Sequence, residues 1–115
     1  MKPFIKVMKA LSDPNRVKMM KMLQSKPMCV CEIQESLGIA QSTASKHLKL
    51  LEDAGLVISF KDGLFVNYSL ADGRDSPYAA GMIGRLKDWL NDDEQVKQLN
   101  TLLPGIDREK ILGRK

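Results

Sequence analysis

The 115-residue chain is poor in the side chains on which most enzyme active sites depend. It contains one histidine and two cysteines, and aromatic residues make up 5% of it. We find no Ser/His/Asp or Cys/His arrangement, no phosphate-binding glycine loop and no His-Glu-x-x-His motif. The aromatics are also too few for a platform that stacks single-stranded bases. These absences predict that the protein is not an enzyme and does not bind single-stranded nucleic acid through stacking.

Long apolar runs are missing as well. Hydrophobic residues make up 43% and charged residues 28% of the chain, and no stretch approaches the roughly 18 unbroken apolar residues of a membrane span. The N-terminus has no apolar core followed by a small-residue cleavage site, as a secretory signal would. We therefore expect a single domain over residues 1–115, no membrane partner and a cytoplasmic, thiol-reducing location.

Positive charge is concentrated near the N-terminus. Residues 1–28 hold seven lysines and arginines against one aspartate, although the net charge of the whole chain is only +4. A local basic surface suits a polyanion such as DNA. A solvated helix face would give the same pattern, so charge alone does not decide between the two.

Proline and glycine divide the first half of the chain into helices. The pattern predicts helices over 4–11, from a cap at Ser12 or Asp13 to no later than residue 26, over 30–37, and over about 41–54. Gly38 and Gly55 would close the last two.

The second half begins with a hairpin signal. Two strand-like runs in LVISFKDGLFVNYSL flank Asp62-Gly63. From 75 to 103 the apolar spacing fits one long amphipathic helix, or two helices interrupted near 91–93. We predict a mainly α winged helix-turn-helix with a β-hairpin: residues 30–55 form the helix-turn-helix, 56–70 the wing and 104–115 a polar tail.

The fourth predicted helix has an apolar arc of Ala44, Leu48 and Leu51 opposite a polar arc. A DNA recognition helix needs this division, because one face meets the major groove while the other is fixed to the domain. Any surface helix is amphipathic, but a short helix, a glycine turn and a hairpin around it make the reading more specific. The candidate contacts to bases or phosphates are Gln41, Ser42, Thr43, Ser45, Lys46, His47, Lys49 and, on the wing, Lys61.

Two positions of this helix carry further expectations. Ala40 stands where an N-cap is wanted, and alanine caps poorly, so we expect the helix to begin one or two residues later with Ser42 as its cap. His47 lies at the edge of the apolar arc and Leu51 occupies the position four residues on. Packing or phosphate contact is therefore favoured over metal ligation for His47.

Three segments together resemble the ArsR/SmtB family of bacterial metal-responsive repressors: ALSDPNRVKMMKML, MCVCEIQESLGIAQSTASKHLKLLEDAGLV and FKDGLFVNYSL. The CVC followed by an acidic residue is similar to the arsenic-sensing branch. The resemblance implies a homodimer that represses an operator on double-stranded DNA, with Cys29 and Cys31 as ligands for the inducer, arsenite or antimonite. It also implies pairing through the end helices, where the apolar candidates are Phe4, Val7, Met8, Leu11, Leu86 and Leu90.

The sequence departs from this family in two ways. Arsenic sensors of this type often have a third cysteine, where this chain has Gln34. A two-thiolate site completed by water or another oxygen donor is then expected. Some relatives carry a zinc site of Asp and His on the last helix, but the only histidine here is His47, so we expect no such site.

The spacing of the two cysteines limits how they can act together. Side chains two positions apart on a helix point about 200° apart. Cys29 and Cys31 can thus share one ion only where the backbone around Val30 is extended or unwound, which suggests that a bound metal deforms the start of the helix. Three alternatives stay open: half-buried core residues, a site for another soft metal such as cadmium, lead or mercury, and a redox switch, which a reducing cytoplasm disfavours.

Overall fold

A computed structural model describes residues 1–108 and 111. In chain order its elements are α1 (Lys2–Ala10), α2 (Pro14–Leu23), β1 (Met28–Cys29), α3 (Val30–Leu37), α4 (Gln41–Asp53), β2 (Val57–Asp62), β3 (Phe65–Leu70), α5 (Pro77–Leu86), α6 (Glu94–Leu102) and a 3₁₀ turn (Leu103–Gly105). The helix-turn-helix is α3 and α4, and the wing is β2 and β3. The predicted winged helix-turn-helix is confirmed.

The starts of α2 and α4 differ in how they are capped. Asp13 caps α2, since its carboxylate accepts hydrogen bonds from the backbone N–H groups of Asn15 (2.8 Å) and Arg16 (3.2 Å). Helix α4 begins directly after Ala40, with no side-chain cap, so the expected later start at a Ser42 cap is wrong. The carbonyl of Ala40 accepts from the N–H of Ala44, whose full burial fixes this first turn.

The sheet has one strand more than the sequence predicts. Its order is β1-β3-β2, and β1 pairs antiparallel with β3 through Met28 opposite Tyr68 and Cys29 opposite Asn67. A two-residue strand is too short to display the alternation that identifies strands in sequence. The hairpin turn lies one residue later than predicted, because Asp62 still pairs with Phe65.

The region from 75 to 103 forms two helices, α5 and α6, as in the second of the two predicted alternatives. Asp93 caps α6 by accepting from the N–H groups of Gln95 and Val96. Beyond the 3₁₀ turn, the N–H of Ile111 donates to the carbonyl of Asp107. Of the predicted polar tail, residues 109, 110 and 112–115 lie outside the described part of the chain, whereas Arg108 contacts the wing.

The core gathers side chains from all of the helices α1 to α6 and from β1 and β2. Ala44, Leu48 and Leu51 are fully buried, as the apolar arc predicts. Val7 (1% exposed) and Leu86 (4%) also lie in the core of the protomer itself, which corrects their assignment to a dimer interface. Within the described residues, no helix is long and apolar enough to cross a bilayer.

A buried lysine ties α2 to the end of α5. The ammonium group of Lys21 donates to the carbonyl oxygens of Leu86 (2.7 Å) and Trp89 (2.9 Å) and to the amide oxygen of Asn91 (2.7 Å). Burial lowers the pKa of Lys21, and the charge of nearby Asp88 opposes that effect. Three acceptors satisfy all three donors of the ammonium, so Lys21 serves the fold and not the surface.

Candidate functional site

The two cysteines meet where β1 passes into α3. Cys29 is both the last residue of β1 and the N-cap of α3, and its backbone is extended (φ −80°, ψ 163°). Its sulfur accepts from the N–H of Glu32 (3.4 Å), and the Glu32 carboxylate accepts from the N–H of Cys29 (2.9 Å). This reciprocal pair is a capping box, which holds Cys29 at the helix entry.

The sulfur atoms of Cys29 and Cys31 are joined as a disulfide, with the Cα atoms 5.4 Å apart. Convergence therefore does not require an unwound helix. The extended residue is Cys29 itself, before the helix, and α3 is intact from Val30 onward. The extended backbone that the spacing requires thus lies at Cys29, next to Val30, and the deformation of α3 by a bound metal stays a prediction.

A cavity of about 410 Å³ opens beside the sulfurs. It joins three functional parts of the fold, since the thiol segment, the recognition helix and the wing all contribute to its wall. The lining residues are Cys29, Val30, Cys31, Gln34, Gln41, Ser45, Leu64, Phe65, Val66, Tyr68, Arg108 and Ile111. Cys29 is 2% exposed and Cys31 is half-buried, so Cys31 is the more accessible sulfur.

Few side chains that could bind a metal ion lie near the two sulfurs. Among the described residues, no three His, Cys, Asp or Glu side chains are grouped so as to hold a metal ion. Glu32 is engaged in the capping box. Gln34 and Tyr68 add polar atoms to the cavity wall, and burial together with the charge of Glu52 raises the pKa of Tyr68. Thiolate sulfur is a soft donor that favours thiophilic ions, but in this structure the two sulfurs are bonded to each other.

The predicted DNA contacts fall into two groups on α4. Gln41, Ser42, Thr43, Lys46 and Lys49 are exposed, and Ser45 and His47 are half-buried. Lys49 forms an ion pair with Asp53 at 3.2 Å, whose hydrogen bond and charge raise the pKa of Lys49. Lys61 is exposed on β2 and lies opposite Val66. The next pair, Asp62 and Phe65, ends the hairpin, so Lys61 is not at the tip itself.

The imidazole ring of His47 contacts Arg16 of α2. Its Nδ1 atom lies 2.9 Å from Nη1 of Arg16, and Nε of Arg16 donates to the carbonyl of Ala10 (2.7 Å). Arg16 and the buried Lys21 both belong to the basic N-terminal segment. Two of its seven cations thus make contacts within the protomer, and the basic surface is smaller than the sequence indicates.

Sequence reasoning missed two groups near the thiols. Asn67 of β3 lies opposite Cys29, and Arg108 reaches the wing from 46 positions along the chain. A local pattern could not have shown either, because one depends on a two-residue strand and the other on a long-range contact.

The family described as "Bacterial regulatory protein, arsR family" matches residues 13–59. An uncharacterised HTH-type transcriptional regulator of Methanocaldococcus jannaschii is 39% identical over 69 residues, which are 59% of this chain and 78% of that one. The cadmium resistance transcriptional regulatory protein CadC homolog of Staphylococcus aureus is 43% identical over 58% of this chain and 56% of its own length. The arsenical resistance operon repressor of Staphylococcus xylosus is 37% identical over 50% and 55%. The chain thus spans only about half the length of the last two relatives.

Solved structures agree with these relatives. HlyU from Vibrio cholerae is 29% identical with a TM-score of 0.64, covering 76% of this chain and 90% of that one. The homodimeric winged helix-turn-helix DNA-binding domain of a possible ArsR-family regulator from Mycobacterium bovis is 25% identical with a TM-score of 0.66, covering 79% and 81%. These similar proteins are transcriptional regulators, which confirms the prediction that the protein is not an enzyme. The chain belongs to the ArsR family of bacterial regulatory proteins, which are DNA-binding transcriptional regulators.

Proposed function

We propose that the protein is a cytoplasmic homodimeric repressor that binds double-stranded operator DNA and leaves it when arsenite or antimonite binds Cys29 and Cys31. The observation that carries this proposal is the contact between the two sulfur atoms at the entry to the first helix of the helix-turn-helix. An effector bound there acts directly on the elements that meet DNA.

The exposed side of α4 supports DNA binding. Gln41, Ser42 and Thr43 are exposed in its first turn, the part of a recognition helix that reaches base edges. Lys46 carries an exposed charge with no ion pair among the described residues, whereas Lys49 is paired with Asp53. We therefore assign the stronger phosphate contact to Lys46, and a contact on the wing to Lys61.

An exposed apolar surface on α1 and α5 supports dimerisation. The rings of Phe4 and Tyr78 pack edge to face, with centroids 5.5 Å apart, yet each residue remains over 40% exposed. With Val7 and Leu86 in the core, Phe4, Met8, Leu11 and Leu90 remain as candidates. A dimer would set two copies of α4 in successive major grooves about 34 Å apart, and the Mycobacterium bovis relative is described as homodimeric.

The chemistry at the sulfurs suits a trivalent metalloid. Arsenite is As(OH)₃, and each thiol that replaces a hydroxyl forms one As–S bond and releases one water. Two thiols therefore release two waters and leave one As–OH. That hydroxyl would lie in the cavity lined by Gln34 and Tyr68. The disulfide must first be reduced to two thiols, which a cytoplasmic dithiol reductant accomplishes by exchange.

Two short structural links connect the sulfurs to the DNA-binding surface. Cys29 pairs with Asn67 of the wing strand β3. Helix α3 packs on α4, and its buried Ile33 and half-buried Leu37 belong to the core that also holds Leu48 and Leu51. A ligand that prefers one arrangement of these elements shifts their equilibrium. A coupling of about 1–3 kcal/mol would weaken operator binding by about 5–150-fold.

One observation favours a second function at the same residues. Because Cys29 and Cys31 are joined in the structure, oxidation and reduction of the pair could itself control DNA binding. Another soft ion, such as cadmium, lead or mercury, is a further inducer candidate, and one relative is named for cadmium resistance.

The test is operator binding followed by fluorescence anisotropy, with DNA from upstream of the protein's own gene. Reduced wild-type protein and the Cys29→Ser/Cys31→Ser variant are each titrated with arsenite. Serine is a preferred N-cap, so the variant keeps the start of α3. Ser36→Ala, which removes the hydrogen bond of the Ser36 hydroxyl to the Glu32 carbonyl on the same helix, controls for a change in α3 that leaves the thiols in place.

Release of wild type and Ser36→Ala, with no release of the serine variant, is the expected result. Tight binding that ignores arsenite in all three proteins would overturn the metalloid as inducer. Release upon oxidation alone would instead establish the redox function, and release by cadmium, lead or mercury would identify another ion.

A further inference from the structure

The Arg108 side chain contacts both strands of the wing. Its Nη2 atom lies 2.9 Å from the carboxylate of Asp62 on β2, and its Nη1 atom 3.4 Å from the amide oxygen of Asn67 on β3. The guanidinium carbon stands 4.2 Å above the ring centroid of Phe65. A planar cation that stacks on an aromatic ring while it pairs with a carboxylate is a use to which arginine is suited and lysine is not.

The same side chain borders the thiol cavity. Arg108 lines it together with Cys31, and Ile111, three residues further along the chain, lines it as well. Asn67, which accepts from Arg108, is the residue opposite Cys29 in the sheet. The Arg108 side chain therefore contacts the wing and also forms part of the wall of the cavity beside the sulfurs.

We infer that Arg108 is a positioning residue that clamps the wing to the body of the domain and closes the cavity beside Cys29 and Cys31. The Arg108 side chain then controls both how the wing meets DNA and how readily a reagent reaches the thiols. The DNA half of this inference rests on the proposed function, whereas the closure of the cavity does not.

Charge gives a reason for the effect on DNA. The ion pair neutralises Asp62, which stands next to Lys61 near the end of the hairpin. Without Arg108, the wing would present an unpaired carboxylate near the DNA phosphates, and like charges repel. Most of the Arg108 side chain is covered, with 28% exposed, so screening weakens this pair less than a fully exposed one.

The test uses the full chain and four variants: Arg108→Ala, Arg108→Lys, Asp62→Asn and Arg108→Ala/Asp62→Asn. Arg74→Ala is the matched control, because the Arg74 side chain is 84% exposed and forms its ion pair with the exposed Asp72. Operator affinity is measured by anisotropy over a range of salt. The reduced thiols are alkylated with iodoacetamide and the rate is followed by mass spectrometry, with circular dichroism as the check of folding.

Arg108→Ala is expected to weaken operator binding by about 3–10-fold and to speed alkylation by a similar factor, and Arg108→Lys to lie between it and the wild type. Adding Asp62→Asn to Arg108→Ala should recover part of the operator affinity, since it removes the carboxylate that Arg108 no longer neutralises. An alkylation rate in Arg108→Ala equal to that of Arg74→Ala overturns the closure of the cavity. Unchanged operator affinity in a folded Arg108→Ala overturns the clamp on the wing. Failure of arsenite to release the wild type would instead count against the proposed function alone, because alkylation needs neither DNA nor arsenite.

Discussion

The Nη1 atom of Arg16 lies 2.9 Å from Nδ1 of His47 and so joins α2 to the recognition helix α4. Arg16 also donates through Nε to the carbonyl of Ala10 at the end of α1. One guanidinium thus contacts α1 and the recognition helix α4 as well as belonging to α2.

This contact predicts the tautomer of His47. A guanidinium group can only donate hydrogen bonds, so Nδ1 must accept and the proton of the neutral ring must be on Nε2. Long-range proton–nitrogen correlation NMR at mildly alkaline pH should show a protonated Nε2 and a bare Nδ1. In Arg16→Met the preference should weaken. A proton on Nδ1 in the wild type would refute the contact.

Asp13 should make the stability of the protein depend on acid. Partial burial acts to raise the pKa of Asp13, but hydrogen bonds from the N–H groups of Arg16 and Asn15 outweigh it and hold this pKa below its ordinary value of 3.8. The carboxylate's contribution is complete above 3.8 and is lost as the pH falls through the lower folded-state pKa. Asp13→Ala should cost about 1 kcal/mol at neutral pH, measured by urea unfolding.

Asp13→Asn separates charge from capping. Asparagine caps about as well as aspartate but does not titrate, so this variant should stay near wild-type stability at neutral pH and lose less than the wild type on acidification. Equal acid sensitivity in the two proteins would show that other groups set the dependence.

Replacing Lys21 should loosen the connection between α2 and α5. Lys21→Met keeps most of the side-chain volume but leaves the carbonyls of Leu86 and Trp89 without their donor. The expected loss is about 2–3 kcal/mol of unfolding free energy, since hydrogen bonds to charged groups contribute about that much. Lys26→Met, at an exposed position, should change stability by less than about 0.5 kcal/mol. Similar losses in both variants would contradict a special role for Lys21.

Two glycines with positive φ should respond differently to alanine. Gly38 (φ +66°) has open space where a Cβ would stand, whereas a Cβ at Gly73 (φ +79°) would come within 2.5 Å of the Cβ and 2.8 Å of the Cα of Ala80. Gly38→Ala should therefore cost only the left-handed backbone term of about 1–2 kcal/mol. Gly73→Ala should cost clearly more, because the backbone of α5 must also move. Thermal unfolding of the two variants decides this, and equal melting temperatures would contradict it.

The sequence by itself determined the order of α1 to α4 and the hairpin, and the apolar faces of the helices. Ala44, Leu48 and Leu51 repeat at helical spacing, and all three are fully buried. Ser12 or Asp13 before Pro14 marks the start of α2, where the structure has Asp13 as the cap, and Gly38 marks the end of α3. Such signals are local, because they depend on side-chain periodicity and on the backbone preferences of single residues.

Only the tertiary structure decided what the candidate site is made of. The strand β1, which sets Cys29 opposite Asn67, consists of two residues, and Arg108 meets Asp62 across 46 positions of chain. Neither contact has a local signature, because each forms between segments that burial of the core brings together. For the same reason, Val7 and Leu86 were assigned to a surface although they lie in the core: periodicity shows which face of a helix is apolar, and only packing shows what covers it.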